Sequence, residues 1–376
     1  NNYDLIDTPG HIDFVAEVER SMKVLDCAIM VVSGVEGVEA QTYQIYKSLS
    51  DNNIPTIVFI NKIDRIGASL SGVKKDFDAN LNGQFVYMNC VKDGKIVDFN
   101  NDEIAEQLAE FDEDSFNKYL DNKKVQSLKR ILELFKSGIV MPVFSGSALN
   151  GLGIDRLFEF LSQVDITHEK KDELSALVYQ VRVDNGIKKA YIKMFGGEIS
   201  KRQYLTVNDE NLKIKNLLMA NDGKLMEVDT IKQGDVAIIQ GLDLVCGQIV
   251  GKCPPCSKLN FHKPLYSVKV VVKEGELENA VKALKVLTIE DPYLNFQYNG
   301  KTSQLKINIM GQVQAEIIKQ FIAERFDKNY KQYNGKFARV ITYKTEYAQS
   351  LIDEFSVKEK EPTIAISVDK LDTGID

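Results

Sequence analysis

Three short runs hold residue types that could grip a nucleotide. Asp7-Thr8-Pro9-Gly10-His11 follows the apolar residues 3–6, which read as a buried strand. A carboxylate at a strand end can hold Mg²⁺ through water. Gly10 lets the backbone approach a terminal phosphate and offer its N–H, and His11 is placed to orient an attacking water. The same run also reads as a plain strand-to-turn with a helix N-cap. Asn61-Lys62-Ile63-Asp64 ends the apolar residues 56–60. The Asp64 carboxylate can accept hydrogen bonds from both the ring N–H and the amino group of guanine, a donor pair that adenine lacks. The stem of Lys62 can cover the base, and Asn61 can tie neighbouring loops together. Alone, the quartet is equally a polar loop at a strand end. Ser147-Ala148-Leu149 follows the apolar residues 140–144. A small residue there lets a backbone N–H reach the guanine carbonyl.

Such residues need a scaffold that brings strand ends to one edge. Residues 3–6, 27–32, 56–60 and 140–144 are short apolar runs, and 14–25, 41–51 and 70–81 have helical apolar spacing, with 157–161 continuing the pattern. That alternation implies a parallel sheet with helices on both faces, whose ligands bind at the carboxyl ends of the strands. Residues 92–121 are more acidic and less periodic and read as an insertion on the rim. A charged linker at 167–174 precedes many short alternating strands punctuated by Gly196-Gly197, Asn208-Asp209 and Asn221-Asp222-Gly223, which suggests a small barrel. A strand at 265–272, a helix at 277–287, strands at 294–298 and 305–309, a helix at 312–324 and a last strand at 340–343 spell a split βαβ domain. One further strand, 363–368, has no packing partner in view.

Composition narrows the class. The chain has 376 residues, 44% hydrophobic and 27% charged, enough for two or three globular domains. A formal charge of −7 argues against a protein that coats nucleic acid by bulk charge. No run of 18 apolar residues offers a membrane span, and the first residues lack the pattern of a signal peptide. Five scattered cysteines do not make a disulfide framework and fit a reducing cytosol.

The three runs together resemble the translational GTPases of the elongation factor G type. Asp13-Phe14, Arg20-Ser21 and Val24-Leu25-Asp26 after the first run are similar to that family. So are Gly37-Val38-Glu39-Ala40-Gln41-Thr42, Ser145-Gly146-Ser147-Ala148-Leu149 and the barrel segment from Ala190 to Gly197. The short connection from Asp64 to Val140 and the Gly153-Ile154-Asp155 turn look most like the tetracycline-resistance ribosomal protection group. The resemblance implies GTP and GDP as ligands with Asp7, Thr8, Pro9, Gly10, His11, Asn61, Lys62, Ile63, Asp64, Ser147, Ala148 and Leu149 around them. It implies Mg²⁺ held by Asp7 through water, and His11 positioning water once large-subunit rRNA docks beside it. The ribosome, through rRNA and ribosomal proteins, is the implied partner of a cytoplasmic monomer, with no membrane involved.

The expected architecture is therefore an incomplete α/β P-loop NTPase-like GTPase domain (1–167), a translation-factor β-barrel (172–258), an α+β split βαβ or ferredoxin-like domain (264–343) and the start of a further domain (344–376). The word incomplete rests on an absence: no Gly-x-x-x-x-Gly-Lys-Ser/Thr loop occurs in the sequence, and the switch threonine is missing too. The expectation is a piece of a longer product that alone hydrolyses GTP negligibly. The activity of the parent is expected to be release of tetracycline from the ribosome. The alternatives are translocation, or a non-catalytic ribosome-binding module. Cys253-Pro254-Pro255-Cys256 has ligand-like spacing but neither a second pair for zinc nor free N–H groups for redox work. His168 and His262 read as solvated surface, Asp112-Glu113-Asp114 as a solvated face and N-cap, and Lys269, Lys273, Lys282 and Lys285 as either rRNA contacts or plain surface.

Overall fold

The computed structural model describes residues 3–367 apart from 93, 122–125, 167–168, 185, 208–209, 222, 253–263, 265, 273–276, 301–303, 330–337 and 342–363. His168, His262, Lys273 and the 253–256 cysteine pair therefore lie outside the described residues. Contacts divide the chain into two compact units, one of Leu25–Glu169 and one combining Tyr3–Val24 with the chain from Lys170 onward. The first helix, α1 (Val15–Met22), belongs to the second.

The first unit is built on a parallel sheet of β1 (Ala28–Ser33), β2 (Thr56–Asn61), β3 (Gln84–Tyr87) and β6 (Val140–Ser145), in the order β1-β2-β6-β3. Helices α2 (Ala40–Asp51), α3 (Leu70–Asn80), α6 (Ser127–Lys136) and α7 (Ile154–Gln163) flank it. The sequence of β2 is apolar without alternation because this strand is covered on both faces, as is β6. Ile57, Phe59, Val86, Leu108, Ile131, Phe135 and Phe160 share the core between them and the helices. Residues 92–121 are more ordered than the acidic composition suggested. They complete a hairpin of β4 (Asn89–Lys92) and β5 (Lys95–Asp98) and form α4 (Asn101–Ala109) and α5 (Glu113–Leu120). Their periodicity is hidden because each helix is short. Capping fixes their starts instead: the Asn100 side-chain oxygen accepts from Asp102 N and Glu103 N, each at 2.9 Å, and Glu103 accepts from Asn100 N at 2.7 Å.

The expected first strand is absent. Residues 3–10 form no strand, and Leu5 is 88% exposed. An extended segment gains ladder hydrogen bonds only beside another strand, and this one groups with the second unit instead of joining the parallel sheet.

The second unit holds a six-stranded antiparallel sheet and a five-stranded one. The six are β7 (Ser175–Asp184), β8 (Ile187–Gly196), β12 (Asn216–Asn221), β13 (Lys224–Glu227), β15 (Val236–Gln240) and β16 (Ile249–Gly251). The pairs β9 (Glu198–Ser200) with β14 (Thr230–Lys232) and β10 (Tyr204–Val207) with β11 (Glu210–Lys213) complete the barrel-like body. All of these strands except β11 and β13 contribute buried residues to one apolar core, including Val178, Ile192, Ile199, Leu205, Ile231 and Ile239. The second sheet has the order β18-β19-β17-β21-β20. Its strands are β17 (Tyr266–Val272), β18 (Gln297–Asn299), β19 (Gln304–Ile309), β20 (Ala338–Ile341) and β21 (Ile364–Ser367), with helices α8 (Leu277–Glu290) and α9 (Gln312–Asn329). Leu284, Leu287, Ile318 and Ile322 of those helices meet Val268, Val270, Leu305 and Ile307 of the strands.

Two expectations change here. The 294–298 strand starts later, because Pro292–Leu294 is a 3-10 turn, with Pro292 locked in φ and Asn295 in the left-handed region. The 363–368 strand does have a partner: β21 pairs antiparallel with β17 and parallel with β20.

Candidate functional site

In the first unit the loops after β2 and β6 meet. The Asn61 side-chain oxygen accepts Lys62 N at 2.8 Å and Ala148 N at 2.9 Å, so one carboxamide fixes both loops. Backbone bonds reinforce the junction, from Gly146 N to Ile60 O at 2.9 Å and from Ile63 N to Gly146 O at 3.2 Å. Gly146 has no room for a side chain, since a Cβ would lie 2.1 Å from Leu152 O. Lys62 holds a left-handed φ of 63°, which its amide bond to Asn61 helps to keep. Its ammonium lies 3.4 Å from Glu36.

Asp64 stands exposed at the rim of this junction. It accepts from Asn150 Nδ2 at 3.0 Å. A hydrogen bond from Ser147, followed by lesser contributions from its own backbone, Arg65 and Asn150, holds its carboxyl below the usual carboxylate range. An ionised carboxylate has about four lone-pair sites; with Ser147, Asn150 and its own backbone as donors one remains, so a base offering two donors takes the place of one of them. The Ser147 and Ala148 amides are taken by Leu152 O and Asn61, and those of Gly151 and Leu152 by Ala148 O and Ser147 O, which leaves the Leu149 and Asn150 amides as donors of the turn among the described residues. Asn150 had no distinguishing signal in the sequence; only the folded turn from Ser147 to Leu152 brings it to Asp64.

The 7–11 segment is placed in the second unit. Asp7 and His11 are exposed there. Asp13 N donates to His11 Nδ1 at 3.1 Å, so the neutral ring carries its proton on Nε2. In that tautomer His11 can donate to a water and orient it. The rest of the segment is tightly held. Asp13 is buried, and its carboxylate accepts Gln314 N at 3.1 Å at the start of α9. Arg20, also buried, donates to Asp291 at 2.8 Å and lies 5.5 Å from the centre of the Tyr293 ring. Burial, the largest single influence, would lower the guanidinium's affinity for its proton, but Asp291 together with Cys246 and Glu17 outweighs it and the net shift is upward. The other Asp291 oxygen accepts Gln314 Nε2 at 3.2 Å, and Gln314 Oε1 accepts Met310 N at 2.7 Å. Asp13, Gln314, Asp291 and Arg20 thus form one continuous polar chain. Asp291 also caps the 3-10 turn, accepting Tyr293 N at 3.2 Å; neither it nor Gln314 was singled out in the sequence.

Among the described residues no three His, Cys, Asp or Glu side chains cluster as a metal cage. Mg²⁺ does not require one, because it keeps several waters and takes one or two carboxylates beside phosphate oxygens. An exposed Asp7 suits that outer position. Of the candidate rRNA lysines, Lys282 is paired with Glu278 at 2.7 Å. No helix among the described residues is long and apolar enough to cross a membrane.

Comparison with known proteins agrees with these elements. The family described as "Elongation factor Tu GTP binding domain" matches residues 1–166, and "Elongation Factor G, domain III" matches residues 261–332. Tetracycline resistance protein TetP of Clostridium perfringens is 32% identical over 347 residues, covering 86% of this chain and 53% of the relative. Tetracycline resistance protein TetM of Ureaplasma urealyticum is 31% identical over 337 residues, and TetM from transposon Tn916 of Enterococcus faecalis is 30% identical over 337. Each of these also covers 86% of the chain and 53% of the relative, so the chain spans about half the length of the relatives it matches. The crystal structure of a Thermus thermophilus protein superposes with a TM-score of 0.72 over 84% of this chain and 55% of that one, at 20% identity, a likeness of fold alone.

Proposed function

We propose, for a chain that belongs to the translational GTPases of the elongation factor G type, that the whole protein is a ribosome-dependent GTP hydrolase that frees ribosomes from tetracycline. The observation that carries the nucleotide part is the loop junction: one Asn61 side chain joins the two loops that border Asp64, and Asp64 stands exposed at their rim as an acceptor for the donors of guanine. The drug part is supported by the names and 30–32% identity of the tetracycline resistance relatives. In this reading Asp64, Asn61, Lys62, Ile63 and Ser147–Leu149 hold the base. Asp7–Gly10 face the terminal phosphate, Asp7 contributes to Mg²⁺ through water, and His11 orients the attacking water. Mg²⁺ when bound neutralises charge on the phosphates. The protein works in the cytoplasm as a monomer on ribosomal RNA and proteins. Translocation is the second reading, supported by the match to domain III of elongation factor G.

The test is GTP hydrolysis by the whole protein with ribosomes, with and without tetracycline. Stimulated hydrolysis that restores stalled translation is the expected result. Stimulation without rescue favours translocation, and no stimulation at all leaves a non-catalytic ribosome-binding module. The 376-residue chain by itself, which has no phosphate loop, is expected to hydrolyse GTP negligibly under the same conditions.

A further inference from the structure

The parallel sheet of the first unit carries a second concavity at its carboxyl edge. A cavity of about 350 Å³ lies among the ends of β2, β6 and β3, the start of α3, the hairpin residues Asn89 and Cys90, and α4. Asn61, Asp64 and Leu149 do not line it, so it is separate from the guanine junction. Its apolar wall is Ile60, Leu70, Phe99 and Val143. Most of its polar lining is already paired. Asn89 accepts from Ser145 N at 2.9 Å and from the Ser145 hydroxyl at 2.7 Å. Gln107 bonds both backbone groups of Tyr87, at 2.8 and 3.1 Å, and Glu103 caps α4.

Three polar groups in the lining are left over. The Tyr87 hydroxyl is buried with no hydrogen-bond partner. The Lys74 ammonium lies 5.1 Å from the centre of the Tyr87 ring and has no carboxylate partner among the described residues. Glu106 on α4 likewise has no cationic partner among them. A buried hydroxyl without a partner costs stability, so its retention calls for an explanation. A cavity of this size with an apolar wall and a few convergent polar groups is what a small-molecule site looks like. The leftover groups define the ligand. A hydroxyl donor and an ammonium ask for a carboxylate, a glutamate asks for an ammonium, and the Tyr87 and Phe99 rings offer surfaces to a flat apolar body.

We propose that this cavity binds a small aromatic zwitterion of the aromatic amino acid class. The ring lies against Ile60, Leu70, Phe99 and Val143. The ligand carboxylate meets Tyr87 Oη and Lys74, and its ammonium meets Glu106. The assignment does not depend on the guanine reading of the neighbouring loops.

L-tryptophan is the probe, because the chain contains no tryptophan and indole emission can be read above a silent background. The expected result is a saturable one-to-one blue shift of that emission. Tryptamine and indole-3-propionate, each lacking one charge, should bind about tenfold more weakly. Tyr87→Phe should weaken tryptophan binding about three- to tenfold, while the Tm of the free protein stays or rises because an unpaired hydroxyl has gone. Glu106→Gln should erase the preference for tryptophan over indole-3-propionate. Ser71→Phe, at an exposed position on the first turn of α3, should close the cavity and abolish the shift. The proposal is overturned by no saturable shift up to about 10 mM tryptophan, by equal binding to all three variants, or by a fall in Tm for ligand-free Tyr87→Phe, which would mean a structural water already satisfies the hydroxyl.

Discussion

Asp64 and Ser147 lie far apart in sequence and act on each other in the fold. The hydrogen bond from Ser147 is the largest cause of the lowered Asp64 pKa, ahead of its own backbone, Arg65 and Asn150. A carboxylate whose folded pKa lies below its unfolded value adds stability above the unfolded pKa and loses it as pH falls through the folded one. Asp64 is exposed, so the contribution is small, but the titration itself is measurable. Ser147→Ala is expected to move the Asp64 midpoint up toward the ordinary carboxylate value, read by carbon NMR of the side-chain carboxyl. An unmoved midpoint would show that the hydroxyl does not set it. The Asn-Lys-x-Asp quartet was legible because its residue types match the donors of one base. The role of Asn150 was not, because an asparagine in a turn has many ordinary uses.

Elements are held to one another here by single side chains that give no pattern in the sequence. Asn89 on β4 is buried and accepts both the amide and the hydroxyl of Ser145, the last residue of β6 before the Gly146–Leu149 loop. Asn89→Ala leaves two buried donors unpaired and should cost about 2–3 kcal/mol. Urea unfolding should show it as a lower midpoint with an unchanged slope. Asp112 does similar work between helices: it caps α5 through Ser115 N at 3.1 Å and grips Arg130 of α6 at 2.6 and 2.9 Å. The Arg130 hydrogen bonds come first among the causes that hold its pKa down at about 2, below the ordinary carboxylate value of 3.8. The pair therefore stabilises the fold above about pH 4 and loses that contribution as pH falls toward 2, an effect of about 1–2 kcal/mol. Arg130→Ala should be less stable than the parent at pH 7 and nearly equal to it at pH 2, by urea titration at each pH. The cap at Asp112 was readable from its residue type. β1, β2 and β6 with α2, α3 and α7 were readable from apolar runs, whereas β3 and α6 went unread and α4, α5 and the hairpin before them were masked by acidic composition. Residues 3–6 were misread because a short apolar run fixes neither burial nor a strand partner, and Leu5 is in fact exposed.

Across the whole molecule the linear order misleads. Tyr3–Val24 groups with the chain from Lys170 onward, and the bonds responsible join residues 271 and 301 positions apart. Separations of that kind leave no local trace, and the same holds for the return of β21 to the sheet of β17. The polar chain from Asp13 through Gln314 and Asp291 to Arg20 fastens the segment after His11 to α9 and to the 3-10 turn after α8. Arg20→Ala removes one partner of a largely buried ion pair and should destabilise the second unit by about 2–4 kcal/mol. Gly311→Ala is the sharper probe. A Cβ at Gly311 would stand 2.2 Å from the Asp13 carboxylate, and every close atom is part of that carboxylate. Relief requires Asp13 to swing away, which breaks its bond to Gln314 N and takes the cap from α9. Hydrogen exchange should then accelerate in Ile12–Phe14, in α1 and in the first turn of α9, while β2 and β6 of the first unit keep their protection. If exchange in α1 is unchanged in Gly311→Ala but rises in Arg20→Ala, the fastening lies at Asp291 alone. If neither variant changes it, α1 is held by its apolar face on the barrel and not by the polar chain.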